Sequence, residues 1–465
     1  MLTYQDLLKV GDDENARLQF CIKAIQEHQG SPKYKIASDA DLYYRNLNPH
    51  IMALQKFIYN SMGVAVPDIF TPNNKIPSNM YHYFVTQEVE TLLGNGATFK
   101  NTKTKEKLGK DFDQRLQEVT KHAINGSCGY GFWNFDHMEV FNYLEFVPFY
   151  DEYNGHLMAG IRYWQIDRTK PLCFTLYEPD GLTECVRETG SPVTIRIPKR
   201  AYRALKIRSV ADGEITIENG NYIALPIVPL YNESKQSAIV GKQNTLDAYD
   251  LTISQMVNNV DDGNFIYWVL RNCGAMDAAD DERFITQLKM THVAHADGDS
   301  GMGVDAQTVE APYQANTTTL EKLRVQLFDD FMALDPKQIS GGAVTATQIK
   351  AAYEPLNNKC DQLEFNVIDF VQKILELAGI DDEVTFTRSR LVNVEEEISA
   401  LVAASAYLDS EYLTTKILAL LGDADKTKEI LARISEDEMA NYKKNKKNNN
   451  EEEEEDEENF GGDEE

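Results

Sequence analysis

The sequence lacks the signals that direct a chain into or across a membrane, and it lacks a nucleotide-binding loop. No apolar run approaches the length of about 18 residues that a membrane-spanning helix requires. Residues Met1–Asp6 do not show the basic and then apolar layout of a signal peptide, so we expect assembly in a cytoplasm. No G-x-x-x-x-G-K-S/T sequence is present, so we expect any ATP hydrolysis to come from a partner.

Cysteine is scarce and scattered. The six cysteines show no C-x-x-C spacing, which predicts reduced, mostly buried thiols and no bound metal or other cofactor. Cys128 lies among three glycines without a neighbouring histidine motif, so a tight turn before a strand explains the glycines better than a nucleophile does. Asp297 and Asp299 begin alternate carboxylates that resemble a calcium loop, but Thr308 occupies the position of the bidentate glutamate. These carboxylates therefore favour a Gly-rich hairpin tip.

Positive charge is also scarce. The chain has 46 Lys and Arg against 74 Asp and Glu, a formal net charge of −28. A protein that grips DNA neutralises phosphates with clustered basic residues, so this balance excludes a DNA-gripping protein. Residues 443–465 contribute −7 and contain a basic and then an acidic block with almost no apolar residue, which predicts a disordered acidic tail. The remaining −21 makes the folded part acidic as well.

The length of 465 residues predicts several subdomains, and the changing periodicity predicts an α+β fold that is mainly helical. The first half combines helices with short apolar runs that are separated by Asn-Gly, Asp-Gly and Pro turns, as in an antiparallel sheet. Predicted helices span residues 4–29, 49–59, 80–93 and 111–124. Predicted strands span residues 129–136, 140–147, 157–167, 172–177, 181–188, 203–210, 215–218 and 223–230, with hairpins at 153–156, 179–181 and 212–213.

The helical period returns after Asn232 in two segments that we expect to pair. The first, residues 244–270, has an apolar stripe and, at the same spacing, a neighbouring polar stripe. This polar stripe consists of Asp247, Asp250, Ser254, Asn258 and Asp261. The second, residues 319–334, repeats leucine and phenylalanine at spacings of three and four. Residues 271–316 lie between them, so the region is predicted to form a stalk with a small domain at its tip.

The segment from Leu334 to Phe370 combines a Gly-containing polar loop with a long amphipathic helix. Thr345 and Gln348 have the spacing of a capping box, and apolar residues then recur with helical period. Pro355 lies inside this pattern and removes a backbone donor, so we predict one kinked helix and not two helices with a linker. A loop on a bent helix is a candidate moving part.

Four blocks of sequence, in this order and spacing, resemble the portal proteins of tailed bacteriophages, of the type found in siphophages of Gram-positive hosts. The blocks correspond to an N-x-x-I-x-x-N motif before a helix that ends in Leu-Leu-Gly, a small-residue turn with two strands, a tunnel loop with the start of its helix, and a C-terminal helical segment. They are residues 73–79 with 89–96, residues 122–132 with 143–151 and 157–164, residues 339–350, and residues 386–434.

The resemblance implies a portal fold with an α/β wing, a helical stem, a small α/β clip, a kinked tunnel helix and a helical crown. The implied boundaries are wing 1–241, stem helices 242–270 and 317–334, clip 271–316, tunnel loop 335–344, kinked helix and wing return 345–387, crown 388–442 and tail 443–465.

The resemblance also implies a homo-oligomeric ring, usually a dodecamer, at one vertex of the capsid of a virion. Double-stranded DNA would pass through its channel during packaging and later ejection, without sequence-specific binding. Implied partners are the terminase large subunit, the major capsid and scaffolding proteins, and head-completion or adaptor proteins, with no membrane. The chain would be a structural protein and not an enzyme.

These implied roles assign candidate functional residues. A channel that passes a polyanion without holding it favours acidic or neutral walls, so the polar stripe is the candidate channel lining. A few transient phosphate contacts are expected near the loop, although solvated polar residues are the plainer interpretation of each one. The candidate DNA-facing residues are Lys337, Gln338, Ile339, Ser340, Gly341, Gly342, Val344, Gln348 and Lys350. The candidate partner-docking residues of the clip are Phe284, Lys289, Asp297 and Asp299.

Two other classes of protein remain open. An acidic hydrolase would need convergent carboxylates, such as Asp261–Asp262 or Asp381–Asp382, but both pairs lie at plausible helix ends, where acids are ordinary. A different head or connector protein of the virion would share the acidity and the lack of catalytic motifs, but not the order of stalk, tip and loop.

Overall fold

The computed structural model mixes helices with antiparallel strands. It describes residues 2–59, 63–69, 71–208, 215–263, 267–271, 303–307, 313–339, 346–388, 394–421, 427 and 429–434. Two compact units are present, the first formed by Met1–Gln338 with Tyr353–Ser389 and the second by Ile339–Ala352 with Arg390–Glu465. Among the described residues, helices account for more of the chain than strands do.

The helices described in the N-terminal part are short to medium in length. They are α1 (Tyr4–Val10), α2 (Glu14–Gln29), α3 (Pro32–Tyr44), α4 (Pro49–Ala53), α5 (Met80–Leu93), α6 (Thr102–Leu108) and α7 (Phe112–Gly126). The predicted helix at residues 80–93 is confirmed by α5 at both ends. The predicted helix at residues 4–29 is wrong as a single helix, because Gly11 has a φ of +69° and Asp13 caps a new helix.

Two further predictions in this part are wrong for local reasons. The predicted helix 49–59 ends at Ala53, and Phe57–Tyr59 forms a strand instead. Helix α3 lies between the predicted helices and was not predicted, although Ser31 and Pro32 are residues typical of a helix start. In the structure the Ser31 side chain accepts from the Tyr34 amide, and Pro32 occupies the first turn, where its missing N–H costs nothing.

The strands form several antiparallel sheets. The described strands are β1 (Phe57–Tyr59), β2 (Ala65–Pro67), β3 (Ala97–Phe99), β4 (Cys128–Asn134), β5 (His137–Phe141), β6 (Phe146–Tyr150), β7 (Leu157–Trp164), β8 (Leu172–Glu178), β9 (Gly181–Arg187), β10 (Val193–Arg200), β11 (Arg203–Arg208), β12 (Ile215–Gly220) and β13 (Ile227–Tyr231). The larger sheets have the orders β10-β9-β8-β7-β6 and β13-β4-β5. The hairpins predicted at 153–156 and 179–181 are confirmed; residues 212–213 lie outside the described residues.

Helices α1 and α2 cover one face of the five-stranded sheet. Their buried Leu18 and Ile25 belong to the same apolar cluster as Phe149, Ile161 and Phe174 of the strands. Cysteines 21, 128, 173, 185 and 360 are free thiols, and all but Cys173 are buried, which confirms the prediction for the described cysteines. Burial raises the pKa of the Cys128 thiol to about 12, so the thiol stays protonated and a nucleophilic role has no support.

The glycines around Cys128 have a different cause from the predicted tight turn. Ser127 makes the turn, with a φ of +73°, while Gly129 and Gly131 lie inside β4. A Cβ atom at Gly129 would clash with the carbonyl oxygen of Val119, and one at Gly131 would lie 2.5 Å from Cζ of Phe370. Both glycines are therefore set by close packing of helices onto this strand.

His28 gives the first unit a pH-dependent stability. Its ring is 2% exposed and packs against the rings of Tyr34, Tyr143 and Tyr163. Burial lowers the pKa of His28 to about 4 from the ordinary value of 6.5. In the unfolded chain the His28 imidazole binds a proton near pH 6.5, whereas in the folded chain it does so only near pH 4.

We expect acidification from pH 6.5 to pH 4 to lower the free energy of unfolding by up to about 3 kcal/mol through His28. His28→Phe should remove this part of the loss, whereas His156→Phe, at an exposed histidine, should leave it intact. Thermal unfolding of the three proteins at a series of pH values measures the difference. An unchanged slope in His28→Phe would contradict the assignment.

The second half of the chain is mainly helical. The described elements are α8 (Gln243–Gly263), β14 (Tyr267–Arg271), β15 (Gly303–Gln307), α9 (Tyr313–Asp330), α10 (Pro336–Ile339), α11 (Ala346–Ala378), β16 (Val384–Phe386), α12 (Val394–Ala403) and α13 (Ser410–Leu421). Strand β16 pairs with β3, and α12 packs against α13 within the second unit. Helix α11 runs through Pro355 without a break, which confirms a single helix there; the kink remains a prediction.

The predicted apolar stripe of α11 is confirmed within the first unit. From Tyr353 onward its members are buried, and they are Tyr353, Leu356, Cys360, Leu363, Val367 and Phe370. The proposed cap at Thr345 lies outside the described residues.

Candidate functional site

Helices α8 and α9 pack against each other, which confirms the pairing predicted for this part of the chain. Strand β14 follows α8 and pairs antiparallel with β15 ahead of α9, in a register from Tyr267 opposite Gln307 to Arg271 opposite Gly303. The candidate clip residues Phe284, Lys289, Asp297 and Asp299 lie outside the described residues.

The base of α9 is anchored by aromatic packing on α5. The Phe84 ring stacks on Phe331 at 4.6 Å between centroids and meets Phe328 edge-on at 5.2 Å. Leu327 and Leu334 are buried at the same place. The end of α9 and the residues after it are therefore held firmly by the first unit, whereas the side chains from Tyr313 to Gln326 are exposed or half-buried.

The polar stripe of α8 binds an extended segment, residues 73–79, which we call the Asn-rich segment. Alternate backbone amides of this segment donate to side chains spaced four residues apart on the helix. These bonds are Asn74 N to Asn258 Oδ1 at 2.7 Å, Ile76 N to Ser254 Oγ at 3.0 Å and Ser78 N to Asp250 Oδ1 at 3.0 Å. Two residues of extended chain advance about 6.6 Å and four residues of helix about 6.0 Å, so the two repeats match over this short length.

Each end of the polar stripe has further partners. At the far end, the Asn74 side chain donates to Asp261 Oδ2 at 2.7 Å. At the near end, the Asn48 amide donates to both Asp247 and Asp250, at 2.9 and 2.8 Å. Asp247 also accepts from the Tyr43 hydroxyl at 2.5 Å and lies 2.6 Å from Nδ1 of His50. The stripe therefore joins α8 to α3, α4 and the Asn-rich segment.

This arrangement corrects the expectation that the whole polar stripe lines a channel. Asp250 and Ser254 are 1% exposed and Asn258 is 5% exposed, because the Asn-rich segment covers them within the same chain. Burial raises the pKa of Asp250, and the hydrogen bonds from Ser78 and Asn48 oppose that shift. A buried carboxylate with satisfied acceptors has a structural role here.

The start of the predicted tunnel loop is fixed by an ion pair. Arg324 of α9 forms two parallel hydrogen bonds to Asp335, at 2.6 and 2.7 Å. The hydrogen bond from Arg324 holds the pKa of Asp335 below its ordinary value. The Gln87 side chain of α5 accepts from the Leu334 amide at 2.9 Å and donates to the Leu334 carbonyl at 3.0 Å. The loop therefore leaves from a rigid base.

A buried ion pair links α5 to α11 below Phe331. Glu88 is 2% exposed, and its Oε2 lies 2.6 Å from Nζ of Lys359. Lys359 also donates to the Phe331 carbonyl at 3.1 Å, and Nζ of Lys242 lies 4.3 Å from the centroid of the Phe331 ring. Phe331 is thus held through both its backbone and its ring.

Arg388 holds the part of α11 that follows its proline. It donates to the Asn357 carbonyl at 3.0 Å and to Glu364 at 2.7 Å, and it also pairs with Asp361. Because these partners lie on successive turns, Arg388 stabilises the helix segment that follows Pro355.

The candidate DNA-facing residues are only partly described. Lys337 and Gln338 are exposed on α10, and Ile339 is half-buried. Gln348 and Lys350 are exposed on the first turns of α11. The predicted loop residues Ser340, Gly341, Gly342 and Val344 lie outside the described residues.

Asp382, one of the carboxylates considered above for an acidic hydrolase, has a structural role. Asp382 accepts from the backbone amides of Lys100 and Asn101 and from the Thr104 hydroxyl, at 3.2, 3.1 and 2.6 Å. It therefore satisfies backbone donors at the start of α6. No group of three metal-ligating side chains occurs among the described residues. Within the same residues, no helix combines the length and apolarity needed to cross a membrane.

Several residues of this site escaped the sequence analysis. Arg324, Gln87, Glu88 and Lys359 belong to no motif, and Arg388 was recognised only as part of the C-terminal block and not as a partner of α11. One signal was available: Glu88 falls on the buried face of α5, at helical spacing from Tyr81, Phe84 and Leu92. A carboxylate at a core position of a helix predicts a buried partner.

Comparison with known proteins identifies the family. Residues 43–452 match the family described as phage portal protein, SPP1 Gp6-like. The chain is 24% identical over 422 residues to the portal protein of Bacillus phage SPP1, which covers 82% of this chain and 78% of that protein. It is 22% identical over 394 residues to the portal protein of Clostridium phage phiCD119, which covers 75% of this chain and 84% of that protein.

Chains from solved structures of gene transfer agent (GTA) particles are also similar to this chain. A chain of the neck of the native GTA particle computed with C12 symmetry gives a TM-score of 0.41 at 10% identity, over 73% of this chain and 90% of that one. A chain of the virion of the native gene transfer agent particle gives 0.42 at 10% identity, over 74% and 89%.

The family match and the two related portal proteins confirm the resemblance found in the sequence. The protein is a phage portal protein and belongs to the family described as SPP1 Gp6-like.

Proposed function

We propose that copies of this chain form a ring, with twelve copies as the expected number, at one vertex of a capsid assembled in the host cytoplasm. The observation that supports it most is the α8–α9 pair, which continues into the β14–β15 ribbon and leaves most of α9 uncovered. A neighbouring copy would cover this helix and its exposed Val325, and a closed ring supplies such a neighbour to every copy.

In this proposal double-stranded DNA passes through the ring during packaging and ejection. The domain boundaries given above for wing, stem, clip, tunnel loop and crown are part of the same proposal. The partners are the terminase large subunit, the major capsid and scaffolding proteins, and head-completion proteins. Membership of the portal family supports this set, and no sequence-specific DNA contact is required.

With the centre of the α8 stripe buried, we assign the channel lining to the N-terminal half of α9. Residues 313–320 contain no charged side chain. The hydroxyls of Thr317, Thr318 and Thr319 are exposed but donate to carbonyls four residues earlier, each at 2.9 Å. Their protons are therefore engaged within the helix, and the remaining side-chain donors of this stretch, on Tyr313, Gln314 and Asn316, are uncharged. Such a wall lets a polyanion slide.

The tunnel loop is proposed to touch DNA transiently through Lys337, Gln338, Gln348 and Lys350, together with the backbone of residues 339–344. Replacing residues 338–344 with a shorter linker should leave ring assembly intact but impair packaging or DNA retention, because the loop is not part of the anchored base. Electron microscopy of the purified rings and DNA content of assembled particles measure the two effects.

The same images test the ring itself. A central hole and about twelvefold symmetry in the unaltered protein support the proposal, and a compact monomer would refute it. Loss of rings in the loop variant alone would instead make the loop structural. A matched control is Lys170→Gln, an exposed change between β7 and β8 and outside both α9 and the loop, which should alter neither ring nor packaging.

A further inference from the structure

A small cavity of about 260 Å³ lies away from the α8–α9 pair, where the first turn of α3, strands β4 and β6 and the end of β13 meet. We call it the tyrosine pocket, because four tyrosines line it. They are Tyr130, Tyr143, Tyr150 and Tyr231. Tyr130 is fully buried, and Tyr231 and Tyr150 are partly buried, so the cavity has a closed floor and an open mouth.

The charge of the pocket is opposite to that of the chain. Lys33 and Lys235 line it, and none of the described residues that line it is acidic. Neither lysine forms an ion pair within the described part of the chain, although the sequence has a net charge of −28. Nζ of Lys235 lies 4.9 Å from the centroid of the Tyr231 ring, so the ammonium group is held against the pocket wall.

The pocket also contains an unused hydrogen-bond donor. The Tyr130 hydroxyl is buried and makes no hydrogen bond of ordinary geometry among the described residues, although the Tyr150 hydroxyl and the Cys128 thiol lie close to it. The Tyr231 and Tyr150 hydroxyls share one hydrogen bond at 2.9 Å, which uses one of their two protons and leaves the other for a further acceptor. Burial raises the pKa of all four phenols, so each remains a protonated donor at neutral pH.

We propose that the tyrosine pocket binds a single oxyanion group, a phosphate or a carboxylate, with Lys33 and Lys235 supplying the charge and the Tyr130 and Tyr150 hydroxyls supplying hydrogen bonds. Charged donors at the mouth and neutral donors on the floor match an anion that enters from solvent. The volume fits one such group with a short stem and does not admit a DNA strand. The group can come from a free phosphate compound or from an acidic side chain of a second copy of the chain.

Titration of the purified full chain with inorganic phosphate, at ionic strength fixed by chloride, tests the site. We expect a saturable rise in melting temperature that chloride does not give. Lys33→Gln/Lys235→Gln should raise the phosphate concentration at half-saturation by about tenfold or more. Tyr130→Phe, which removes only a hydroxyl, should raise this concentration less. Lys35→Gln/Lys170→Gln, at exposed lysines outside the pocket, should bind as the unaltered protein does.

The two sources of the anion separate in a second measurement. If glutarate binds better than phosphate and the pocket variants also lose self-association, the natural ligand is a carboxylate of a second copy. If phosphate binds better and self-association is unchanged, the ligand is a free phosphate compound. An equal response of the pocket and control variants, or no saturable response to either anion, would show a water-filled cavity and overturn the proposal. Because binding is measured whatever the oligomeric state, this outcome is independent of the ring.

Discussion

Replacing Glu88 by alanine is expected to destabilise the first unit by about 3–5 kcal/mol, because Lys359 would then keep a buried charge without a partner. The remaining neighbours of that ammonium group are the Phe331 carbonyl and another cation, Lys242, whose pKa burial already lowers. Thermal and urea unfolding of the variant measure the loss. We expect it to appear also as a loosening of the base of α9, through Phe331.

The neighbouring pair on α11 provides a matched control. Asp369 and Lys373 form a surface pair, with side chains 64% and 51% exposed. Asp369→Ala should therefore cost less than about 1 kcal/mol. The double variant Glu88→Leu/Lys359→Met should recover much of the stability, since it removes both charges and keeps the volume. If Glu88→Ala proves as mild as Asp369→Ala, the buried pair contributes little and the anchoring of Phe331 must lie elsewhere.

Replacing Asp250 by alanine is expected to cost about 2–4 kcal/mol, because the Ser78 amide and the Asn48 side chain would lose their acceptor in a buried place. The Asn-rich segment should also detach more often from α8. Faster tryptic cleavage after Lys75, which lies in this segment, measures that release alongside thermal unfolding.

Two control substitutions on α8 accompany this prediction. Gln255→Ala, at the exposed neighbour of Ser254, should have almost no effect. Asp250→Asn keeps one side-chain oxygen and should be milder than Asp250→Ala. If Asp250→Ala is as stable as the unaltered protein and only DNA passage is changed, Asp250 lines the channel and its assignment to a buried structural role is wrong.

The sequence allowed the periodic elements to be predicted, but not which surfaces cover one another. The polar stripe of α8 has the spacing that was predicted, and residues 73–79 were recognised as a motif. Nothing in the pattern shows that these two pieces bind each other, because about 180 residues separate them and a stripe of acids is normally solvated. The interpretation as a channel wall was wrong at Asp250, Ser254 and Asn258 for this reason.

Short elements were predicted less well than long ones. Helix α5 and the apolar face of α11 follow from repeated spacing, whereas β10 escaped prediction although it alternates, because Pro198 interrupts it. The strand lies at the edge of its sheet, where a proline is tolerated. The buried pair Glu88–Lys359 depends on a contact between distant helices, which only the position of Glu88 on a buried face could have suggested.

The bonds between α8 and the Asn-rich segment have a consequence for how this part of the chain can change through evolution. The segment contributes main-chain amides at 74, 76 and 78, so many side chains are acceptable there, but proline is not. Proline is harmless at the odd position between two of these amides, and Pro77 occupies it. Inserting or deleting one residue between these amides would put those on its two sides out of register, so that at least one of the three bonds is lost and the length of the segment is strictly fixed.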